Sequence, residues 1–314
     1  MSVLRKQGEK ILSEFIEDDF ISALETELNR TKYYRDRLVE ISRVSQADEN
    51  ELGYDGVLTT VVPFYVQFKR SDFYTPKFTG HLLTDRQNIG LPHNKGFFAF
   101  ELLKKDNSYK QHNTMFELSK SAKAAYVAPL FFKKKDLAQM KSFPSNYLPA
   151  YFNDIEIFNS SRIHPLRFQR NILFKKTVTI PPHSEITDNE TSHHYTYCRD
   201  LKIGFHSDPI NLENNDSNTL YYFLLNILAQ EESNIDEQTD KIFSQLPNYF
   251  GLEQTNKEFE NILKSSIKRV SVVDEKIDLS SLKREFTIID RLLIIEDLLY
   301  QYFGIRQFIK YEKK

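Results

Sequence analysis

The spacing of apolar positions divides the chain into segments of helical and of strand character. Over residues 4–44, apolar side chains recur every three or four positions, and this period predicts a helix that leads up to residues 47–49. The positions that set the period are Ile11, Leu12, Phe15, Ile16, Phe20, Ile21, Leu24, Leu28, Leu38, Ile41 and Val44.

Residues 49–71 have the shorter period of β-strands. Val57–Val62 is β-branched and apolar, and Phe64–Arg70 alternates so that Gln67 and Lys69 share one face. Pro63 lies between the two runs, where a central strand does not easily continue. The pattern therefore predicts a β-hairpin that turns near residues 61–63.

Further strands and helices are predicted downstream. Phe97–Leu103 predicts a strand, a helix follows from residue 107 or 108 to about Ala122, and Ala124–Pro129 predicts a buried strand. A strand, a helix and a strand at this spacing indicate a crossover unit. The irregular segment 71–94 predicts a loop. Thr177–Ile180 and His194–Cys198 predict two short strands.

The last third of the chain has helical spacing throughout. Its predicted helices are Thr219–Gln230, Asp236–Gln245, Thr255–Val270 and Leu279–Gly304. The apolar face of the final helix is too wide for a lone surface helix, so we expect it to be buried in a bundle or against a partner. The polar segment Asn211–Asn218 separates a domain of residues 1–210 from a helical region of residues 211–314.

Composition places the chain among globular proteins, with 314 residues, of which 40% are hydrophobic and 27% charged. No run approaches the roughly 20 apolar residues of a membrane span, and the N-terminal segment mixes acids and bases unlike a signal peptide. The single cysteine, Cys198, leaves no pair for a disulfide or a CxxC zinc site and suits a reducing compartment. We therefore expect a cytoplasmic protein without membrane contact.

Charge is distributed unevenly although the net charge is only −2. Residues 69–141 contain 14 Lys and Arg against 6 Asp and Glu, whereas residues 211–314 contain 13 against 18. A basic zone of this kind can attract phosphates. A solvated basic surface is an equally good interpretation.

The chemistry of the predicted hairpin centres on three side chains. If the chain turns near residue 62, Asp55 comes opposite residues 68–69, and its carboxylate converges with the Gln67 amide and the Lys69 ammonium. Oxygen ligands of this kind hold Mg²⁺, and a neighbouring ammonium can stabilise charge on a phosphate.

Asp55, followed a dozen residues later by Gln67-Phe68-Lys69, resembles the PD-(D/E)xK phosphodiesterases, the restriction-endonuclease-like superfamily. Gln67 stands where most members have an acid, which is similar to the Mrr-type QxK variant. Gln111-His112-Asn113 and the run from Tyr126 to Phe131 extend the likeness to a bacterial defence-associated nuclease. The resemblance covers about residues 40–135.

The resemblance implies an α/β fold with a mixed central sheet flanked by helices, to which the C-terminal helical region is added. It makes Asp55, Gln67 and Glu49 the ligands of Mg²⁺, for which Mn²⁺ can substitute. Lys69 would position the nucleophile or stabilise the transition state. Glu49 fits the spacing of a helical acid ahead of the first strand, and Glu51 is the alternative.

The function that follows from the resemblance is that of a metal-dependent DNA endonuclease, the nuclease subunit of a bacterial antiviral defence system. Its C-terminal helices would form a homo-oligomer or bind a second subunit, such as an NTPase. The alternative is a catalytically inactive DNA-binding or protein-interaction module on the same fold, because a neutral Gln67 weakens a metal site. The histidines between residues 183 and 206 lack the HExxH spacing and cysteine partners typical of zinc.

Overall fold

The computed structural model describes residues 6–7, 9–28, 33–34, 37–43, 58–103, 108–147, 171–187, 191–206, 210–212, 218–230, 235–252, 257–270 and 286–313. Within these residues the chain is mixed α/β, with two seven-stranded sheets and nine helices. None of the helices in these ranges has the length and apolar character that a membrane crossing requires. Strands and helices are numbered in chain order.

The first sheet is antiparallel throughout. Its strands, in spatial order, are β1 (Lys6–Gln7), β2 (Lys10–Ile11), β6 (Asp72–Tyr74), β7 (Phe97–Glu101), β10 (His194–Tyr197), β11 (Ile203–His206) and β12 (Ile210–Asn211).

The second sheet is mixed, because β5 and β8 are parallel while its other neighbouring pairs are antiparallel. Its strands, in spatial order, are β13 (Asn218–Thr219), β9 (Thr177–Ile180), β8 (Lys123–Pro129), β5 (Leu58–Phe68), β14 (Arg306–Lys313), β4 (Arg37–Ser42) and β3 (Tyr33–Tyr34).

Helices cover the sheets and form the C-terminal layer. They are α1 (Glu17–Leu28), α2 (His81–Asn88), α3 (Lys110–Ser119), α4 (Lys134–Tyr147), α5 (Ile172–Lys175), α6 (Leu220–Ala229), α7 (Ile235–Tyr249), α8 (Lys257–Val270) and α9 (Ile288–Phe303). The largest hydrophobic cluster takes side chains from both sheets and from α3, α7, α8 and α9. The two sheets therefore share one core.

The hairpin predicted around Pro63 is wrong, because β5 runs unbroken through this residue. The backbone nitrogen of Lys69 donates to Val127 O of β8 over 2.9 Å. Since backbone N–H groups alternate sides along a strand, the Pro63 nitrogen also faces β8. β8 begins only at Lys123, opposite Phe64. The proline therefore removes no hydrogen bond from the β5–β8 ladder.

The long helix predicted over residues 4–44 is confirmed only for α1. Strands β1 and β2 precede it, and β3 and β4 follow it. In β4, Val39 and Ile41 are both buried and lie two positions apart, which is the period of a strand. The predicted period used Leu38, Ile41 and Val44, which lie three positions apart as in a helix, and this caused the error.

The segment 71–94, predicted as a loop, contains β6 and α2. The helix is held by Arg86, whose buried guanidinium donates to Pro92 O over 2.8 Å and to Thr196 Oγ1 over 2.6 Å. A hydropathy pattern treats arginine as a surface residue, so the burial of Arg86 could not be predicted from it.

The strand, helix and strand predicted between residues 97 and 129 are confirmed as β7, α3 and β8. Their expected arrangement as one crossover unit is wrong, because β7 belongs to the first sheet and β8 to the second. The parallel partner of β8 is β5. The crossover therefore runs from β5 to β8 and contains α3, with β6, α2 and β7 inserted before it.

Strand β14 lies between β5 and β4 in the second sheet and has no counterpart among the predicted elements. Its Lys310 and Glu312 are buried and form an ion pair of 2.7 Å, and Lys310 Nζ also donates to Gln230 O over 2.9 Å. The division into residues 1–210 and 211–314 stays a prediction. The C-terminal part nevertheless supplies an interior strand of a sheet that begins in the N-terminal part.

The helices predicted for the last third are confirmed in their described parts as α6 to α9. Thr287 and Asp290 form a capping box at the start of α9, and Gly304 ends it in a left-handed conformation with φ +62°. Helix α9 packs against α7, α8 and β14. The expected burial of this helix is therefore confirmed, and a subunit interface on it stays a prediction.

Candidate functional site

A cleft of ≈ 680 Å³ opens at the end of β5. Six elements supply its walls, because side chains of α1, β5, β7, α3, α9 and β14 or of the residues next to them line it. Its polar side chains include Glu17, Gln67, Lys69, Glu101, Gln111 and Arg306. A carboxylate, amide and cation set of this kind distinguishes the cleft from an apolar ligand pocket.

Lys69 follows the last residue of β5 and lies at the base of the cleft with only 9% of its surface exposed. Its Nζ donates to Gln111 Oε1 over 3.1 Å and lies 5.7 Å from the centre of the Tyr126 ring. Burial lowers the pKa of Lys69 to about 8, against a smaller opposing effect of the Glu17 carboxylate. The ammonium is thus fixed in position and close to its point of deprotonation.

Two amide side chains converge on the end of α9. Gln67 Nε2 donates to Phe303 O over 3.2 Å, and Gln111 Nε2 donates to the same carbonyl oxygen. Phe303 O belongs to the last turn of α9, where carbonyl groups lack helical partners. Because the two amides share this carbonyl, Gln111 links Lys69 to the same anchor that holds Gln67.

The remaining atom of the Gln67 amide is an orphan acceptor. Gln67 is 3% exposed and lines the cleft, and its Oε1 has no hydrogen-bond partner among the residues that the structure describes. The bond from Nε2 to a carbonyl fixes which amide atom is the oxygen. A buried unsatisfied acceptor costs about 1–3 kcal/mol. A ligand that offers a positive charge or a donor would remove this cost.

Three acidic residues, Glu17, Asp18 and Glu101, line the cleft with Lys69. Glu17, in the first turn of α1, is exposed at the rim, yet desolvation by the surrounding protein raises the pKa of its carboxyl group, as does Asp18, while Lys69 and Arg70 lower it. Glu101 ends β7 with 58% of its side chain exposed, and its Oε2 lies 4.0 Å from His194 Nε2. The cleft therefore places both signs of charge within one cavity.

Tyr126, whose ring lies next to Lys69, forms a buried hydrogen-bonded pair with His112. The Tyr126 hydroxyl lies 2.7 Å from His112 Nδ1, and His112 Nε2 lies 2.8 Å from Ser184 O. Since a carbonyl only accepts, Nε2 carries the proton and Nδ1 accepts from Tyr126. Burial lowers the pKa of His112 to about 4, so the ring is neutral near pH 7. The tyrosine next to Lys69 is therefore held in place by an uncharged histidine.

The structure brings together two of the predicted site residues. Gln67 and Lys69 line the cleft on one face of β5, as their alternation predicted. Asp55, Glu49 and Glu51 lie outside the described residues. The correction to the hairpin removes the reason for expecting Asp55 opposite Lys69, because residues 58–62 belong to the same strand as Gln67.

Sequence reasoning missed Glu17 and Glu101. The signal for Glu17 is its position in the acidic first turn of an amphipathic helix, which ordinarily indicates only a favourable helix dipole. Glu101 ends a buried strand and is exposed where the residues before it are not. Neither signal identifies a site without the fold.

The described part of the chain contains no group of three or more His, Cys, Asp or Glu side chains that could hold a metal ion. The histidines between residues 183 and 206 instead contact hydroxyl groups or carboxylates. His183 Nδ1 lies 2.8 Å from the Tyr195 hydroxyl, and His206 Nε2 lies 2.6 Å from Thr196 Oγ1.

No protein-family model, curated protein or solved structure matches the chain. The function of the cleft is therefore inferred from its own side chains. They can bind a cation through oxygen atoms, and they can neutralise an anion through the ammonium of Lys69.

Proposed function

We propose that the chain is a metal-dependent DNA endonuclease that hydrolyses phosphodiester bonds in the cleft at the end of β5. One observation carries the proposal. Lys69, with its buried ammonium, and Gln67, whose Oε1 is an orphan acceptor, lie two residues apart at the end of β5 and line this cleft together with Glu17 and Glu101. Phosphoryl transfer needs oxygen ligands for a cation and a fixed positive charge, and the cleft offers both.

The residues present fit Mg²⁺ or Mn²⁺. Hard cations take oxygen ligands, and Gln67 Oε1 is an oxygen atom without a hydrogen-bond partner among the described residues. The resemblance adds Asp55 and Glu49, and the cleft adds Glu17 as an acid on α1, a helix that precedes β5 in the chain. A bound ion would supply Lewis-acid stabilisation of the phosphate.

Lys69 would stabilise the charge that develops on the phosphate. Its ammonium is held at one place by Gln111, so little reorganisation is needed during the reaction. In a partly desolvated cleft the attraction between an ammonium and a phosphate is stronger than in water. Gln111 and Tyr126 would act through Lys69, because their contacts hold its side chain.

The wider proposal follows the resemblance. A restriction-endonuclease-like fold of the Mrr type is supported by the parallel β5–α3–β8 arrangement, which carries Gln67-x-Lys69 on its first strand and Gln111 on its helix. We assign the nuclease to a bacterial antiviral defence system in the cytoplasm. A second copy or an NTP-driven subunit would bind the C-terminal helices.

A catalytically inactive DNA-binding module is the second candidate. It is favoured by the neutral amide at Gln67 and by the lack of a three-ligand cluster of acids or histidines in the described residues. Such a module would use Lys69, Arg70 and Arg306 to hold phosphates without cutting.

Cleavage of supercoiled plasmid separates the two candidates. Wild-type protein should nick or linearise the plasmid with Mg²⁺ or Mn²⁺ and remain inactive in EDTA. Lys69→Met should reduce the rate by about a hundredfold or more, the usual effect of removing one transition-state contact. Lys123→Met, at an exposed lysine at the start of β8, serves as the charge control and should cut normally. DNA binding without cleavage by wild-type protein in either metal would select the inactive module.

A further inference from the structure

The cleft has exposed apolar side chains as well as charged ones. Among the described residues five large apolar side chains are exposed, and two of them, Leu103 at 52% and Tyr300 at 39%, line the cleft. Both line the cleft together with charged side chains. Exposed aromatic side chains in a charged cavity are typical of sites that bind a ligand with both flat apolar and charged parts.

Tyr300 forms one surface with an arginine. The Arg306 guanidinium lies 3.2 Å from the centre of the Tyr300 ring. Arg306 is held in turn by Glu296, whose Oε1 lies 3.6 Å from Nη1. An aromatic ring beside a fixed guanidinium offers flat π surfaces, and unpaired nucleobases stack on surfaces of both kinds.

The same cleft carries the charges that a nucleic-acid backbone requires. Lys69 and the exposed Arg70 follow β5 and line the same cavity as Tyr300. The volume of ≈ 680 Å³ is that of a pocket for a small ligand, roughly 300–1,000 Å³. In a duplex both faces of a base are covered by its neighbours, so a base can reach Tyr300 only where the strand is unpaired.

We propose that the cleft takes an unpaired stretch of DNA, with a base stacked on Tyr300 and Arg306 and the adjoining phosphate directed to Lys69 and Arg70. This inference rests on the proposed function in taking the substrate to be nucleic acid. It adds that the preferred substrate is a single-stranded end, gap or flap, and that Tyr300 is the residue that selects it.

Binding without cleavage tests the inference. Fluorescein-labelled single-stranded DNA of about twelve nucleotides, its duplex, and RNA of the same sequence are titrated with the full chain in EDTA, and anisotropy is recorded. Single-stranded DNA should bind at least tenfold more tightly than the duplex. Tyr300→Ala should weaken binding of the single strand roughly tenfold, the effect of losing one stacked base, while Tyr300→Phe should retain it.

Tyr222→Ala is the matched control, because Tyr222 is a tyrosine of similar exposure, 53%, on α6. It should bind like wild type, and the thermal midpoint of each variant shows that it is folded. Equal affinity for single strand and duplex, unchanged binding by Tyr300→Ala, or tighter binding of the RNA would overturn the inference. Tyr300-dependent binding without cleavage in Mg²⁺ or Mn²⁺ would contradict only the proposed nuclease function. It would still support the selection of single strands by Tyr300.

Discussion

The Lys69 ammonium donates to Gln111 Oε1 over 3.1 Å, and the same glutamine donates from Nε2 to Phe303 O. One side chain of α3 therefore connects the residue after β5 with the last turn of α9. The bond is charge-assisted, a type worth about 1.5–3 kcal/mol. The position of the ammonium thus depends on residues that are more than 200 positions apart in the chain.

Gln111→Met should impair catalysis through Lys69. The variant keeps the volume of the side chain but loses the acceptor, so cleavage should slow by about tenfold to a hundredfold. Gln87→Met, at an exposed glutamine on α2, is the control and should have the wild-type rate. The turnover rate at saturating DNA is the quantity to measure. A change confined to DNA affinity would contradict a positioning role.

The lowered pKa of Lys69 should make stability rise with pH. The folded pKa is about 8 and the ordinary value is 10.5, so the unfolded chain binds more protons in between. Unfolding by urea should therefore cost about 2 kcal/mol more at pH 9.5 than at pH 7.5, at about 1.4 kcal/mol per unit of pKa.

Lys69→Met is the reference for that measurement, because it removes this titration and leaves the other groups in place. The difference between wild type and variant isolates the lysine from the buried tyrosines, which titrate at higher pH. If the two proteins change in parallel with pH, the pKa of Lys69 is not lowered by the fold.

Substitutions at Gln67 should distinguish the role of its amide oxygen from that of its amide nitrogen. Gln67→Met removes the orphan acceptor together with one bond to Phe303 O, so its stability should stay within about 1 kcal/mol of wild type. Gln67→Glu directs a carboxylate at that carbonyl and should lose about 2 kcal/mol in EDTA.

Mg²⁺ decides whether Gln67 Oε1 is a ligand. Thermal unfolding of Gln67→Glu should recover on addition of Mg²⁺, because an ion bound only by the folded state stabilises it. Gln67→Met should show the smallest response to the ion. Equal shifts of the melting temperature in all three proteins would place the ion elsewhere.

Gly304→Ala should damage the site more than the fold. At φ +62° an alanine costs about 1 kcal/mol, and its Cβ would lie 3.4 Å from Gln111 Nε2 and 3.9 Å from Gln67 Nε2. Gly251→Ala is the matched control, since φ is +70° there and nothing lies within 4 Å of the added carbon. Both variants should lose similar stability, and only Gly304→Ala should lose cleavage activity.

The core of the site was predictable from local periodicity, and its surroundings were not. Alternation alone put Gln67 and Lys69 on one face, because the period of a strand is a local property. Pro63 misled the prediction, since its cost depends on whether a neighbouring strand is present beside it, and β8 starts one residue later. Glu17 and Gln111 reach the cleft through tertiary packing, which no local pattern encodes.

Strand β14 was missed for a related reason. Its charged residues Lys310 and Glu312 read as surface positions, although they are buried as an ion pair inside the sheet. Phe308, Ile309 and Tyr311 were the available signal for a strand. The apolar face of α9 was predictable because its period extends over four turns.

The position of β14 also determines when the cleft can form during synthesis. Phe64 in β5 pairs with Phe308 in β14, so nearly all of the chain must leave the ribosome before the sheet is complete. Closing a loop of this length is slow relative to forming local helices. Until then Gln67 and Gln111 lack the Phe303 carbonyl oxygen to which both side chains donate. The cleft is therefore incomplete in the nascent chain, and a chain truncated before residue 306 lacks part of its lining.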